Sequence, residues 1–206
     1  MKKIALVAFL MLSQMNFAQK TTKNLGDFDQ VKVFDRISAQ LVSGNENKIE
    51  ISGSRKDDVE IVNKNGELKV RMKLGKLLKG DDITVTIYFK NEINTVEASE
   101  GSYVSSEATF KAIDFSVNSK EGAEIKLNLD TKKLKVKASS GGIVNVKGKA
   151  TNQDIVINSG GIVKAKDLET SQTTVAVNAG GEADVNASDL VDAKTRACLL
   201  YTSPSP

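Results

Sequence analysis

The side chains best placed to do chemistry in this sequence are lysines and asparagines that recur at a fixed interval. Lys126, Asn145, Lys164 and Asp184 fall at equivalent points of a repeat near 20 residues, and Asn128, Lys147, Lys166 and Asn186 fall two residues further on. If both sets point outward from stacked strands, they form a flat ladder of ammonium and amide groups. Such a ladder could hydrogen-bond a repeating anionic or hydroxyl-rich polymer. Lys126, Asn145, Lys147, Lys164 and Lys166 are therefore the candidate ligand-binding residues. The plainer reading is a solubilising face whose lysines guard against aggregation. A second candidate is RMKLGKLLKG (Arg71–Gly80), where Arg71, Lys73, Lys76 and Lys79 stand near Leu74, Leu77 and Leu78. It could touch a membrane surface or a polyanion. A mobile strand connection punctuated by Gly75 and Gly80 is the plainer reading there.

Other chemistry is thin. There is no His anywhere, which removes the commonest general base, the usual triads and most zinc sites. The one cysteine is Cys198, and no G-x-S-x-G phrase occurs. Glu121, Glu124, Asp130, Asp154, Asp167 and Asp184 fall at different points of the repeat and form no evident column or pair. Adjacent Asp81 and Asp82 would point to opposite faces of a strand. These acids read as solvated surface rather than as an acid/base pair or a calcium site. The expectation is a non-enzyme with no catalytic residue, cofactor or metal.

The phrases SSGGIVNV (Ser139–Val146), NSGGIVKA (Asn158–Ala165) and NAGGEADV (Asn178–Val185) raise a last possibility, a phosphate-cradling loop. That reading needs a helix after the glycines. Here an alternating, strand-like run follows each time, so the glycines read as corners.

The elements follow from alternation. Ile83, Val85, Ile87 and Phe89 share one parity, as do Ile49 with Ile51, and Leu68 with Val70 and Met72. Period two predicts half-buried strands, and no amphipathic helix stands out. Gly101, Gly122, Gly141, Gly160 and Gly180 mark a longer period, with separations of 21, 19, 19 and 20 residues. Three positions after each glycine lie Val104, Ile125, Val144, Val163 and Ala183; five after lie Ser106, Leu127, Val146, Ala165 and Val185. Both sets read as inward columns with one polar member. Ahead of the glycines, Val96, Val117, Val136, Ile157 and Val177 read as a third column, followed two residues later by small Ala98, Ser119, Ala138, Ser159 and Ala179. That alignment shortens the link to the glycine by two residues in the last two coils. The predicted fold is all-β: a right-handed parallel β-helix-like solenoid with coils of about 20 residues. The less regular N-terminal half, Asp27 to about Asn94, is expected to supply wider early coils or a cap over the solenoid end.

The two ends read as separate from this fold. Lys2 and Lys3 followed by apolar Ile4–Leu12 form a signal-peptide pattern too short to span a bilayer, with cleavage after Ala18. CLLYTSPSP (Cys198–Pro206) breaks the Lys/Asn/Val texture before it and resembles a translated sequencing-library adapter. The organisation expected is a signal at 1–18, one solenoid domain at 19–197 continuing past Ala197 in nature, and a foreign tail at 198–206. Setting aside Lys2 and Lys3 leaves 27 Lys+Arg against 26 Asp+Glu. A near-neutral chain argues against a nucleic-acid partner. No transmembrane segment is expected in the mature chain.

The order of FDRISAQLVSGNENKIEISG (Phe34–Gly53), NGELKVRM (Asn65–Met72) and the Gly-Gly ladder ending in VDAKTRA (Val191–Ala197) resembles the head GIN domain family of auto-transporter adhesins. The resemblance runs over Asp27–Ala197. It implies an exported β-solenoid of the Gram-negative envelope, in the periplasm, at the outer-membrane surface or outside the cell. It implies no catalytic motif. The function expected is binding or structural, with a polysaccharide or an envelope protein as partner. The alternatives are a carbohydrate-active enzyme on the same scaffold and an envelope protein-assembly partner.

Overall fold

The computed structural model describes residues 20–196; the expected signal and the expected foreign tail lie outside them. Five long strands dominate: β9 (Tyr103–Lys120), β10 (Glu124–Ser139), β11 (Ile143–Asn158), β12 (Gly161–Asn178) and β13 (Gly181–Arg196). Each pairs in parallel with the next, in chain order. In β10, Ile125, Leu127 and Leu129 are buried on alternate positions. Lys132 and Lys133 are then both exposed, and Leu134, Val136 and Ala138 resume burial in the shifted parity. One coil is therefore two flat sides joined by a bend at Lys132–Lys133, which is the solenoid the sequence predicts.

The first inward column is observed as read: Val104, Ile125, Val144, Val163 and Ala183 lie in register across five strands. The third needs correcting. Val136 pairs with Ile155, and Ile155 with Val175, so that column does not contain Ile157 and Val177; the latter two follow Ala98, Ser119 and Ala138. The link to the glycine is constant, because the corner beyond it has a fixed two-residue geometry. Ser159 and Ala179 belong to that corner. They continue Ser140, and each corner pairs a left-handed residue with a left-handed glycine: Ser140–Gly141 (φ 51° and 75°), Ser159–Gly160 (49° and 76°) and Ala179–Gly180 (59° and 77°). Two successive positive φ values turn a chain sharply, and glycine takes the second without a Cβ clash. The next glycine serves a different purpose. A Cβ on Gly142 would overlap the Ser119 carbonyl oxygen of the preceding coil. Backbone bonds carry the ladder around the corner, for example Gly122 N–H to Ser140 C=O at 3.1 Å.

The N-terminal half is a cap whose spatial order departs from chain order. β2 (Gln30–Val33) and β3 (Ser38–Ser43) form one coil. β6 (Glu67–Met72) and β7 (Thr84–Phe89) stack on one side of it, β8 (Thr95–Ala98) and the start of β9 on the other, all in parallel. β5 (Val59–Lys64) then pairs antiparallel with β6, and β4 (Lys48–Ser52) with β7. β1 (Thr21–Asn24) adds antiparallel to β4. Reversed strands stop a parallel stack from propagating at that end. Ile49, Ile51, Leu68, Val70, Met72, Ile83, Val85 and Ile87 are all buried, as their alternation predicts. Phe89, Phe110 and Phe115 pack in sequence, with ring centroids 5.4 and 5.5 Å apart, where cap meets solenoid.

Candidate ligand-binding face

The backbone ladder fixes the register at the start of β9 to β13, ahead of bulges in β9 and β12. Outward there, Ser105, Lys126, Asn145, Lys164 and Asp184 stand in one column, spaced by about 4.8 Å. Three of the five candidates, Lys126, Asn145 and Lys164, are thus brought together as expected. Lys147 stands beside Asn128 in the neighbouring column. The Asn128 amide is engaged, donating to the Glu107 carbonyl at 3.0 Å. Among the described residues, Lys126, Asn145, Lys147, Lys164 and Lys166 have no side-chain hydrogen bond or ion pair within the protein.

The expected Lys147, Lys166 and Asn186 column does not form. Pairing of β11 with β12 shifts between Asn145 and Gly148, and pairing of β12 with β13 shifts between Ala165 and Glu169. β12 carries extra residues there, so Lys166 and Asp167 sit in a bulge and Asn186 aligns with Glu169. An uneven coil length in one repeat cannot be placed from periodicity alone, since either side of the coil could absorb it.

Two arrangements of charge were not foreseen. The first lies along the bend. Lys111, Asp130, Lys149, Glu169 and Asn186 form one wall of a groove of about 860 Å³ that crosses all five coils. Lys132, Thr151 and Ser171 also line it. Lys149 and Asp130 approach to 3.6 Å, so the wall alternates in sign. The doublet Lys132–Lys133, where alternation breaks, is the signal in the sequence that marks this bend. The second arrangement is at the Gly corner. Asp35, Glu100 and Glu121 occupy the left-handed position that serine or alanine takes in later coils, so Glu121 does belong to an acidic column. Asp35 is buried and accepts from Met72 N–H and Leu78 N–H, each at 2.9 Å. Ser99 Oγ donates to Glu121 at 2.5 Å. Burial, then the neighbouring Asp35 charge, push the Glu100 carboxyl above its ordinary value. Among the described residues, no group of three or more Asp, Glu, His or Cys side chains is placed to hold a metal ion. No helix among them is long and apolar enough to cross a membrane.

Residues 27–198 match the family model described as "Putative auto-transporter adhesin, head GIN domain". No curated protein matches the chain. Among solved structures, a "putative adhesin" from Bacteroides fragilis superposes with a TM-score of 0.79 at 16% identity, covering 86% of this chain and 84% of that one. A "putative adhesin" from Parabacteroides distasonis gives 0.64 at 20% identity, covering 86% and 85%. A "putative lipid binding protein" from the same species gives 0.63 at 14% identity, covering 86% and 87%. At such identities the likeness is one of fold.

Proposed function

The chain belongs to the head GIN domain family, and from that premise we propose that it is an exported, non-enzymatic binding module of adhesin type whose outward solenoid face holds a linear glycan or envelope polymer. One observation carries the reading: Lys126, Asn145 and Lys164 stand in strict register with no partner inside the protein. Unpaired cations on a rigid ladder are free to meet a ligand that repeats along the solenoid axis. Lys147 extends the set sideways. The ladder is also polarised: β10 carries five lysines against Glu124 and Asp130, while β13 carries four acids against Lys194 and Arg196. An anionic polymer is therefore held most strongly at the β10 end.

The test is a binding screen on immobilised anionic and neutral polysaccharides at low and high salt, with depolymerisation assayed in the same wells. Salt-sensitive capture without cleavage, weakened in the Lys126→Ala/Lys164→Ala variant, is the expected result. Cleavage products would replace this reading with the carbohydrate-active enzyme. Capture of no polysaccharide would leave the adhesive ladder without a ligand and refute it.

A further inference from the structure

The connection between β6 and β7 is built rather than slack. Lys73 to Lys79 are seven consecutive exposed residues, and three are leucines: Leu74 is 93% exposed, Leu77 49% and Leu78 46%. A single exposed leucine is ordinary on a protein surface; three within five residues make a patch. The backbone beneath them is fixed. Both carboxylate oxygens of Asp35 serve it, through Met72 N–H and Leu78 N–H. Lys73 N–H donates to Asp58 C=O at 2.8 Å, Gly80 N–H to Asp35 C=O at 3.1 Å, and Lys76 N–H closes a turn onto Lys73 C=O at 2.9 Å. Arg55 reaches the Lys79 carbonyl at 3.4 Å. Leu78 is the most telling residue. Its φ is 59°, a conformation that suits Asn or Gly and disfavours a bulky side chain. Its conformation does not call for leucine, and about half of its surface is open to solvent.

Lysines alternate with the leucines along the loop, while Leu78 also lies beside Arg36, Glu100 and Glu121 at the corner. Lys73 donates to the Asp57 carbonyl at 2.6 Å, while Lys76 and Lys79 have no ion-pair partner among the described residues. The acids that follow are engaged: Asp81 pairs with Arg36 at 3.4 Å, and Asp82 accepts from Ser54 N–H at 3.0 Å. A protein-binding hot spot would centre on aromatic or arginine anchors and keep lysine out of its core. Here lysines alternate with leucines, so no charge-free apolar core exists. A soluble polyanion would use the lysines and leave the leucines without a role. An anionic bilayer surface uses both, apolar tips in the headgroup–acyl boundary and ammonium groups among the phosphates.

We propose that the Lys73–Lys79 loop docks on an anionic lipid surface, with Leu74, Leu77 and Leu78 entering the interface and Lys76 and Lys79 meeting lipid phosphates. This contact lies in the cap, apart from the polymer-binding ladder, and stands or falls independently of it. The test is co-sedimentation of the chain from Gln19 onward, which holds every described residue, with phosphatidylethanolamine/phosphatidylglycerol vesicles and with phosphatidylcholine vesicles. The chain is expected to pellet with the anionic vesicles. The Leu74→Ser/Leu77→Ser variant should weaken that binding about tenfold. The Lys76→Gln/Lys79→Gln variant should weaken it about 25-fold at low salt, roughly fivefold per lysine. Leu78→Asn should weaken binding while the melting temperature holds or rises. Failure to pellet with anionic vesicles overturns the proposal. So does equal pelleting by the leucine variant, or equal capture of parent and leucine variant on dextran sulfate with no vesicle binding, which would mark a polyanion site. A lower melting temperature for Leu78→Asn with unchanged vesicle binding would give that leucine a structural role and also count against it.

Discussion

The cap and the solenoid use lysine in opposite ways. In the cap, Lys32 lies 2.6 Å from Glu67 and 3.8 Å from Glu97, Lys69 lies 2.8 Å from Glu67, and Lys120 from β9 reaches Glu97 at 3.1 Å. In β10 to β13, ten lysines face nearly as many acids, yet only Lys149 with Asp130 and Lys194 with Asp192 come within ion-pair distance. The cap builds its sheet from strands brought together out of chain order, so lysines and carboxylates from distant segments meet on one face. The solenoid stacks each coil on the one before it, and its charges go where the coil register sends them. Outside the Lys73–Lys79 loop, charge on the sheet faces of the cap is tied into the fold, whereas most lysines of the solenoid strands have no ion-pair partner within the protein.

The corners give the sharpest way to break this comparison, because the same turn is made differently at the two ends. In the solenoid the turn is Ser140–Gly141 and depends on bare backbone beneath it. Gly142→Ala would push a methyl group into the Ser119 carbonyl, which cannot retreat without breaking the ladder. A loss of about 3 kcal/mol in denaturant unfolding is expected, and a shift under 1 kcal/mol would mean that the corner is softer than its contacts imply. In the cap the equivalent turn is Asp35–Arg36, with φ of 61° and 63°, and it depends on a carboxylate. Asp35→Asn keeps the tolerance for left-handed backbone but turns one acceptor into a donor facing an N–H. About 2 kcal/mol should be lost, with hydrogen exchange rising at Met72 or Leu78.

The lysine comparison itself predicts a split between two readouts. Lys32→Ala should cost about 1 kcal/mol of stability and leave polymer capture alone. Lys126→Ala/Lys164→Ala should leave the melting temperature unchanged and reduce capture. If both variants moved stability alike, the solenoid lysines would be structural after all, and the ladder would lose its claim to a ligand.

What the sequence disclosed follows from where the physics is local. Alternation and the glycine period placed the inward column of Val104, Ile125, Val144, Val163 and Ala183, and the outward Lys126, Asn145 and Lys164, because parity along a strand survives stacking. The Ile157 and Val177 assignments failed by two residues. Slipping by two preserves parity, so apolar patterning cannot detect it; only the invariant corner geometry can. Lys166 was misplaced for a related reason, since a bulge is invisible to a period. The acidic column of Asp35, Glu100 and Glu121 was hidden because Asp35 lies more than 60 residues before Glu100, and β4 to β7, which come between them in the chain, stack on the far side of the first coil. The cap's inverted order could not be read from any local pattern.

Two carboxyls close to that boundary carry the finest form of the comparison, and pH separates them. Glu67 is held below its ordinary value of 4.5, by hydrogen bonds from Lys32 and then Lys69. Its folded form binds fewer protons than the unfolded chain as pH falls through the acid range, so its contribution is present above pH 4.5 and is lost on acidification. Glu100 is held above the same ordinary value, by burial and then by the Asp35 charge. There the folded form binds more protons, so stability is greatest in acid and declines as pH rises from about 4.5 through the raised value. Glu100→Gln removes the partly buried charge and keeps a donor for Asp35. It should therefore raise the melting temperature at pH 7 by a small margin that vanishes near pH 4. Glu67→Gln should lower it at pH 7, by a margin that also closes in acid. Parallel melts of both variants from pH 4 to pH 8 would check this. Shifts of the same sign at pH 7 would mean that the crowded corner and the paired face do not differ electrostatically.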